Sequence, residues 1–112
     1  MKAAIAQAAR IVMESELTLA LAGAGISVES GIPDFRSAGG LWSRFDPAEY
    51  ATIDAFRANP EKVWEMLREM EQVVAQAEPT PAHLGLGELE KMGRLHGIIT
   101  QNVDNLHQRG GS

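Results

Sequence analysis

The apolar positions of this 112-residue chain switch between helical and strand-like patterns. From Lys2 to Met13, Ile5, Ala8, Ala9 and Val12 recur at helical spacing and predict an amphipathic helix. Leu17 to Ala22 is a short apolar run that ends in glycines, which predicts a buried strand. Gly23 to Gly40 has no clear period and reads as a long loop with one helical turn after Gly25. Loops of that length inside a small domain usually carry function. Its apolar residues Ile26, Ile32 and Phe35, followed by Leu41 and Trp42, favour an ordered loop.

Thr52 to Arg57 predicts a short helix capped by Thr52. Asn59-Pro60 starts a longer one, since Asn caps and Pro takes the first helical position. Val63, Met66, Leu67, Met70, Val73, Val74 and Ala77 form its apolar stripe, and Pro79 ends it. Thr80-Pro81 begins another helix, with Ala82, Leu86, Leu89 and Met92 as its expected buried face and Gly93 as its C-terminal cap. Leu95 to Thr100 predicts a second strand, and a loop and short helix follow it up to Gly110-Gly111. Two strands separated by helices pair in parallel, and parallel sheets are larger and covered on both faces. The expectation is therefore the first part of an incomplete α/β domain.

Composition narrows the function classes. Hydrophobic residues make up 45% and charged residues 22%, as in an ordinary globular domain. The net charge of -5 speaks against a nucleic-acid partner. Without cysteine the chain holds no disulfide, no cysteine-ligated zinc and no cysteine nucleophile. No apolar run reaches 18 residues, so no membrane span is expected. Gln7 and Arg10 interrupt what would be a signal peptide, which makes the cytoplasm the expected location. His83, His96 and His107 are not spaced as a metal site and are expected to be structural, His107 as a hydrogen-bonding residue.

Gly23-Ala24-Gly25 follows the first predicted strand directly. Glycines there let backbone N–H groups approach a phosphate closely, as in dinucleotide-binding turns. The spacing departs from the Rossmann fingerprint, because Val28 stands where the third glycine belongs. A tight turn without a ligand is the alternative reading. Gln101, Asn102 and Asp104 follow the second strand, where side chains of a parallel sheet face the ligand crevice. Asn and Asp also cap turns, which leaves that alternative open as well.

The longer context of both motifs is more specific. GAGISVESGIPDFRS, from Gly23 to Ser37, resembles the first signature of the sirtuins, the NAD-dependent protein-lysine deacylases. TQNVDNLHQRGGS, from Thr100 to Ser112, resembles the second. GLW at Gly40 to Trp42 and AFRANPEKVWE at Ala55 to Glu65 are similar to bacterial and archaeal members. The resemblance implies residues 1–112 of a single catalytic domain: a partial Rossmann-like parallel sheet with helices, ending before the later strands and the zinc module. It implies NAD as cofactor, with zinc only in the C-terminal part, and an acyl-lysine protein as substrate.

By the same resemblance, Gly23, Ala24 and Gly25 hold phosphates through their N–H groups. Ile32, Asp34 and Phe35 border the nicotinamide, Arg36 supports the cofactor, and Trp42 sits in a loop that reorders around it. Gln101, Asn102, Val103 and Asp104 form the second polar set, with Asn102 on a water or the ribose and Asp104 on the carboxamide. The general-base histidine is expected beyond Ser112, so no catalytic residue is assigned within the chain. Leu67 and Met70 stand where family members that remove succinyl groups carry Tyr-x-x-Arg. A buried carboxylate there would lack a counter-charge, which favours a neutral acyl group; both residues also fit a plain core stripe. A non-catalytic NAD- or ADP-ribose-binding module, or a fragment without function of its own, are the rival readings.

Overall fold

The computed structural model describes all 112 residues. In chain order the elements are helix α1 (Lys2–Glu14), strand β1 (Leu19–Ala22), a 3-10 helix (Ala24–Ser30) and helices α2 (Leu41–Arg44), α3 (Pro47–Tyr50), α4 (Ile53–Ala58), α5 (Pro60–Gln76) and α6 (Pro81–Lys91). Strand β2 (Gly97–Thr100) and helix α7 (Leu106–Arg109) complete the chain. They fall into two compact units, the first made of Met1–Gly23 with Pro79–Ser112 and the second of Ala24–Glu78.

The first unit is built on β1 and β2, which pair in parallel with Leu19 opposite Gly97 and Ala22 opposite Thr100. The pairing runs one residue further back, where the His96 N–H donates to the Thr18 carbonyl. His96 Nδ1 accepts the Thr18 N–H at 3.1 Å, so this histidine is structural, as expected. Helix α1 forms where the period places it, and the Arg94 guanidinium donates to the Met13 carbonyl near its end. Its apolar positions are not buried, however, and Ile5 is 62% exposed.

Helix α6 starts at the expected Thr80-Pro81, and Gly93 takes the left-handed backbone (φ 69°) just past its end. Its buried face differs from the expected one. Ala82 and Met92 are exposed, and the buried positions are His83 and Gly87. The cause is close helix packing: a Cβ on Gly87 would lie 2.3 Å from the Gly110 carbonyl oxygen. Only a residue without a side chain lets the end of α7 approach so near.

The second unit packs short helices around α5. Asp46, Thr52 and Asn59 each accept a backbone N–H in the first turn of α3, α4 and α5. The sequence reading anticipated the caps of α4 and α5 but missed α2 and α3, which are single turns too short to show a period. Leu41, Phe45 and Met66 form the core, flanked by Trp42, Tyr50 and Met70. Phe45 meets Tyr50 edge-on at 5.0 Å. Lys62 bonds Glu49 at 2.8 Å and lies over the Tyr50 ring. That bond holds the Lys62 ammonium above the ordinary lysine value of 10.5. Val63 and Met66 are buried as the stripe predicts, while Leu67 stays partly exposed.

Candidate functional site

The candidate residues belong to both units: Gly23 and residues 101–104 to the first, the others to the second. In the first unit, β1 and β2 are parallel and in register, so the chain leaves both at the same carboxyl edge. Gly23 follows the one strand and Gln101 the other. The Asn102 side-chain amide donates to the Gly23 carbonyl at 3.0 Å and ties the two turns together. The Asn102 N–H donates to Thr100 Oγ1 at 3.0 Å. Asp104 is buried, and its Oδ1 accepts the Leu106 N–H at 3.0 Å. That bond braces α7, whose preceding residue Asn105 has left-handed backbone (φ 62°). Gln101 and Val103 are exposed.

The glycines are informative by what surrounds them. Neither Gly23 nor Gly25 has positive φ, and a Cβ added to either meets no atom within 4 Å. Neither the backbone nor the chain's own packing demands glycine there. Open space lies beside both, and N–H groups in the first turn of a 3-10 helix have no partner within that helix. This donor set fits a dinucleotide phosphate.

In the second unit, Asp34 organises the turn before α2. Its Oδ1 accepts the Ser37 N–H at 3.1 Å, and the Ser37 hydroxyl donates to Oδ2. The Leu41 N–H donates to the Asp34 carbonyl at 2.6 Å and the Trp42 N–H to the Phe35 carbonyl at 3.0 Å. Gly40 is required here, since a Cβ on it would lie 2.7 Å from the Asp34 carbonyl oxygen. The loop is therefore laid along the start of α2, with the Phe35 and Trp42 rings 5.3 Å apart. Ile32 is half-buried, and Arg36 is exposed.

Phe35 and Trp42 help line an open groove of about 410 Å³. Leu67 and Met70 line it together with Val63 and Met66, and no charged residue does. Met70 also packs on the core cluster, as the core reading expects, while Leu67 is exposed. Sequence reasoning missed the wall formed by Ile53 and Phe56. Their i, i+3 spacing on a short helix was the available signal.

Residues 23–112 match the sequence pattern of the Sir2 family. The chain belongs to that family. It is 50% identical over 108 residues to the NAD-dependent protein deacylase 2 of Archaeoglobus fulgidus, covering 96% of this chain and 42% of that protein. It is 53% identical over 106 residues to the NAD-dependent protein deacetylase of Caldivirga maquilingensis, covering 95% and 41%. Among solved structures, a mutant Sir2 homologue in complex with ADP-ribose superposes with a TM-score of 0.86 at 50% identity, over 90% of this chain and 41% of that one. A Sir2 complex with a p53 peptide and NAD+ superposes at 0.79 and 40% identity, over 95% and 41%. The Sir2 chain thus spans about two fifths of the length of the relatives it matches. Its fold is the helix-flanked parallel sheet of a partial Rossmann-like domain. No helix is long and apolar enough to cross a membrane.

Proposed function

We propose that these residues carry the cofactor-binding side, and part of the acyl pocket, of an NAD-dependent protein-lysine deacylase. They form the N-terminal part of one catalytic domain in this reading. The observation that carries it is the pair of open glycines, Gly23 and Gly25, which neither backbone strain nor packing explains. The Asn102 bond to Gly23 at the carboxyl edge of the sheet supports it. NAD, when bound, would supply an electrophilic ribose carbon for the acyl transfer.

The chain's own residues position and shield. In the first unit, the Gly23 turn offers backbone, Asn102 orients a water or the ribose, and Asp104 presents a carboxylate to the carboxamide. In the second, Ala24 and Gly25 offer N–H groups, Ile32 and Asp34 shape the nicotinamide border, and Arg36 supplies positive charge. Phe35 and Trp42 exclude water. Fixed dipoles and exclusion of water are the means by which such a site acts. The substrate is a neutral acyl-lysine, since the groove holding Leu67 and Met70 has no charged lining.

No histidine here serves as the general base. His96 is bonded to Thr18, and His83 and His107 are buried against each other. The chain by itself therefore binds without turnover.

Calorimetric titration with ADP-ribose tests the reading. Gly25→Ala should weaken binding about tenfold or more while thermal stability stays within about 0.5 kcal/mol, because the added Cβ meets no packed neighbour within 4 Å. Equal binding by both chains sinks the proposal. An acetyl-lysine peptide should also bind at least about fivefold tighter than its succinyl counterpart, since an unpaired carboxylate in the groove costs about 1–3 kcal/mol. The reverse order refutes the acyl assignment alone.

A further inference from the structure

The closest packing in the first unit surrounds two histidines that the cofactor reading does not use. His83 on α6 is 0% exposed and His107 on α7 is 5% exposed, with ring centroids 5.0 Å apart at 62°. Glycines bring the helices together: besides Gly87, a Cβ on Gly110 would lie 3.0 Å from the His83 Cβ and backbone. Leu106, also fully buried, belongs to the same helix as His107.

The His83 ring is suited to the uncharged state. His83 Nδ1 accepts the Thr80 N–H at 3.0 Å, while the His83 N–H donates to Thr80 Oγ1, closing a reciprocal cap on α6. An imidazole protonated on both nitrogens has no lone pair to accept that N–H. The two ring nitrogens of His107 are buried without a hydrogen-bond partner, so its ring meets His83 as a packing surface.

We propose that His83 and His107 are positioning residues: an edge-on pair that seats α7 on α6, holds Asp104 and the turn of residues 101–104 in place, and lets go when acid charges His83. The link is the bond from the Leu106 N–H to Asp104 Oδ1, which builds the turn onto α7. The clasp stands on its own geometry; its effect on cofactor binding rests on the reading above.

The charges around the pair set its direction. Burial and then repulsion from His107 push the His83 imidazole below its ordinary value of 6.5, against the attraction of Asp104. Elsewhere on the two helices, Glu88 pairs with Lys91 at 2.8 Å, and Glu90 and Arg109 complete the charged groups. A lowered folded value means that the opened state binds protons more readily. The clasp is therefore complete above about pH 6.5 and weakens as pH falls towards the lowered His83 value, its opening constant rising up to about tenfold per pH unit.

Amide hydrogen exchange on the 112-residue chain at pH 7.5 and 5.5, corrected for intrinsic chemistry, reads this opening. Protection in Leu106–Gly110 should fall about tenfold more than in Leu19–Ala22. In His107→Phe, which keeps a ring but removes the repulsion on His83, that difference should shrink without vanishing, since burial of His83 remains. His107→Leu provides the same control if phenylalanine is too large. Equal loss in both segments of the unsubstituted chain, or no loss, overturns the clasp. So does an NMR titration midpoint for His83 at or above 6.5. ADP-ribose titrations over the same range read the consequence. If protection behaves as expected but affinity falls no more than in His107→Phe, the positioning role is overturned. Absence of ADP-ribose binding at every pH refutes the cofactor reading instead, since the exchange result does not depend on it.

Discussion

The two units bury their centres in different ways. In the second, Leu41, Phe45 and Met66 meet as ordinary apolar side chains, with Trp42, Tyr50 and Met70 around them. In the first, α6 and α7 meet through His83, Gly87, His107 and Gly110. An apolar cluster is held by the area it removes from water and tolerates changes of shape. A glycine-mediated contact is held by one close approach, and it accepts nothing larger. The contrast matters for function because the unforgiving contact is the one that carries Asp104, while the tolerant one lines the groove.

Substitutions can break or sharpen that contrast. The largest effect should come from Met66→Ala, which removes most of a core side chain that is 5% exposed. About 3 kcal/mol of stability should be lost in denaturant unfolding. A loss under about 1 kcal/mol would mean that the cluster is not the centre of the second unit. Next comes Gly87→Ala, with about 2 kcal/mol lost, since the new methyl would sit 2.3 Å from the Gly110 oxygen and α7 must shift. The same denaturation series measures it; an unchanged midpoint would show that α7 docks loosely and would erase the contrast. Met66→Leu is the smallest, at less than about 1.5 kcal/mol, because a core held by area accepts a similar volume. A cost matching that of Gly87→Ala would make the two units equally exacting.

Much of the local architecture was legible in the chain. The caps Thr52, Asn59 and Thr80 and the prolines after the last two mark helix starts by local chemistry, and the structure places them there. Both strands appear inside the expected segments, shortened to Leu19–Ala22 and Gly97–Thr100. The candidate site was visible as two motifs, because each strand runs at its carboxyl end into residues that free the backbone or offer hydrogen bonds. The expected hydrogen-bonding role of His107 was a misreading: it is buried edge-on against His83 with no hydrogen bond from its ring.

By itself the sequence determined what is local: the period of α5, the caps, the end of each strand and the residue types that follow it. These depend on neighbours within a few positions, so spacing is enough to find them. Tertiary structure alone decided which faces were buried and which turns met. Nothing in the spacing of α6 singles out His83 and Gly87 over Ala82 and Met92, because burial there is set by Gly110, a residue more than twenty positions away. The bond between Asn102 and Gly23 spans 79 positions. Only the parallel register of β1 and β2 brings those two residues to the same edge. Periodicity reports how a segment divides water from core; which partner supplies that core is a property of the folded chain.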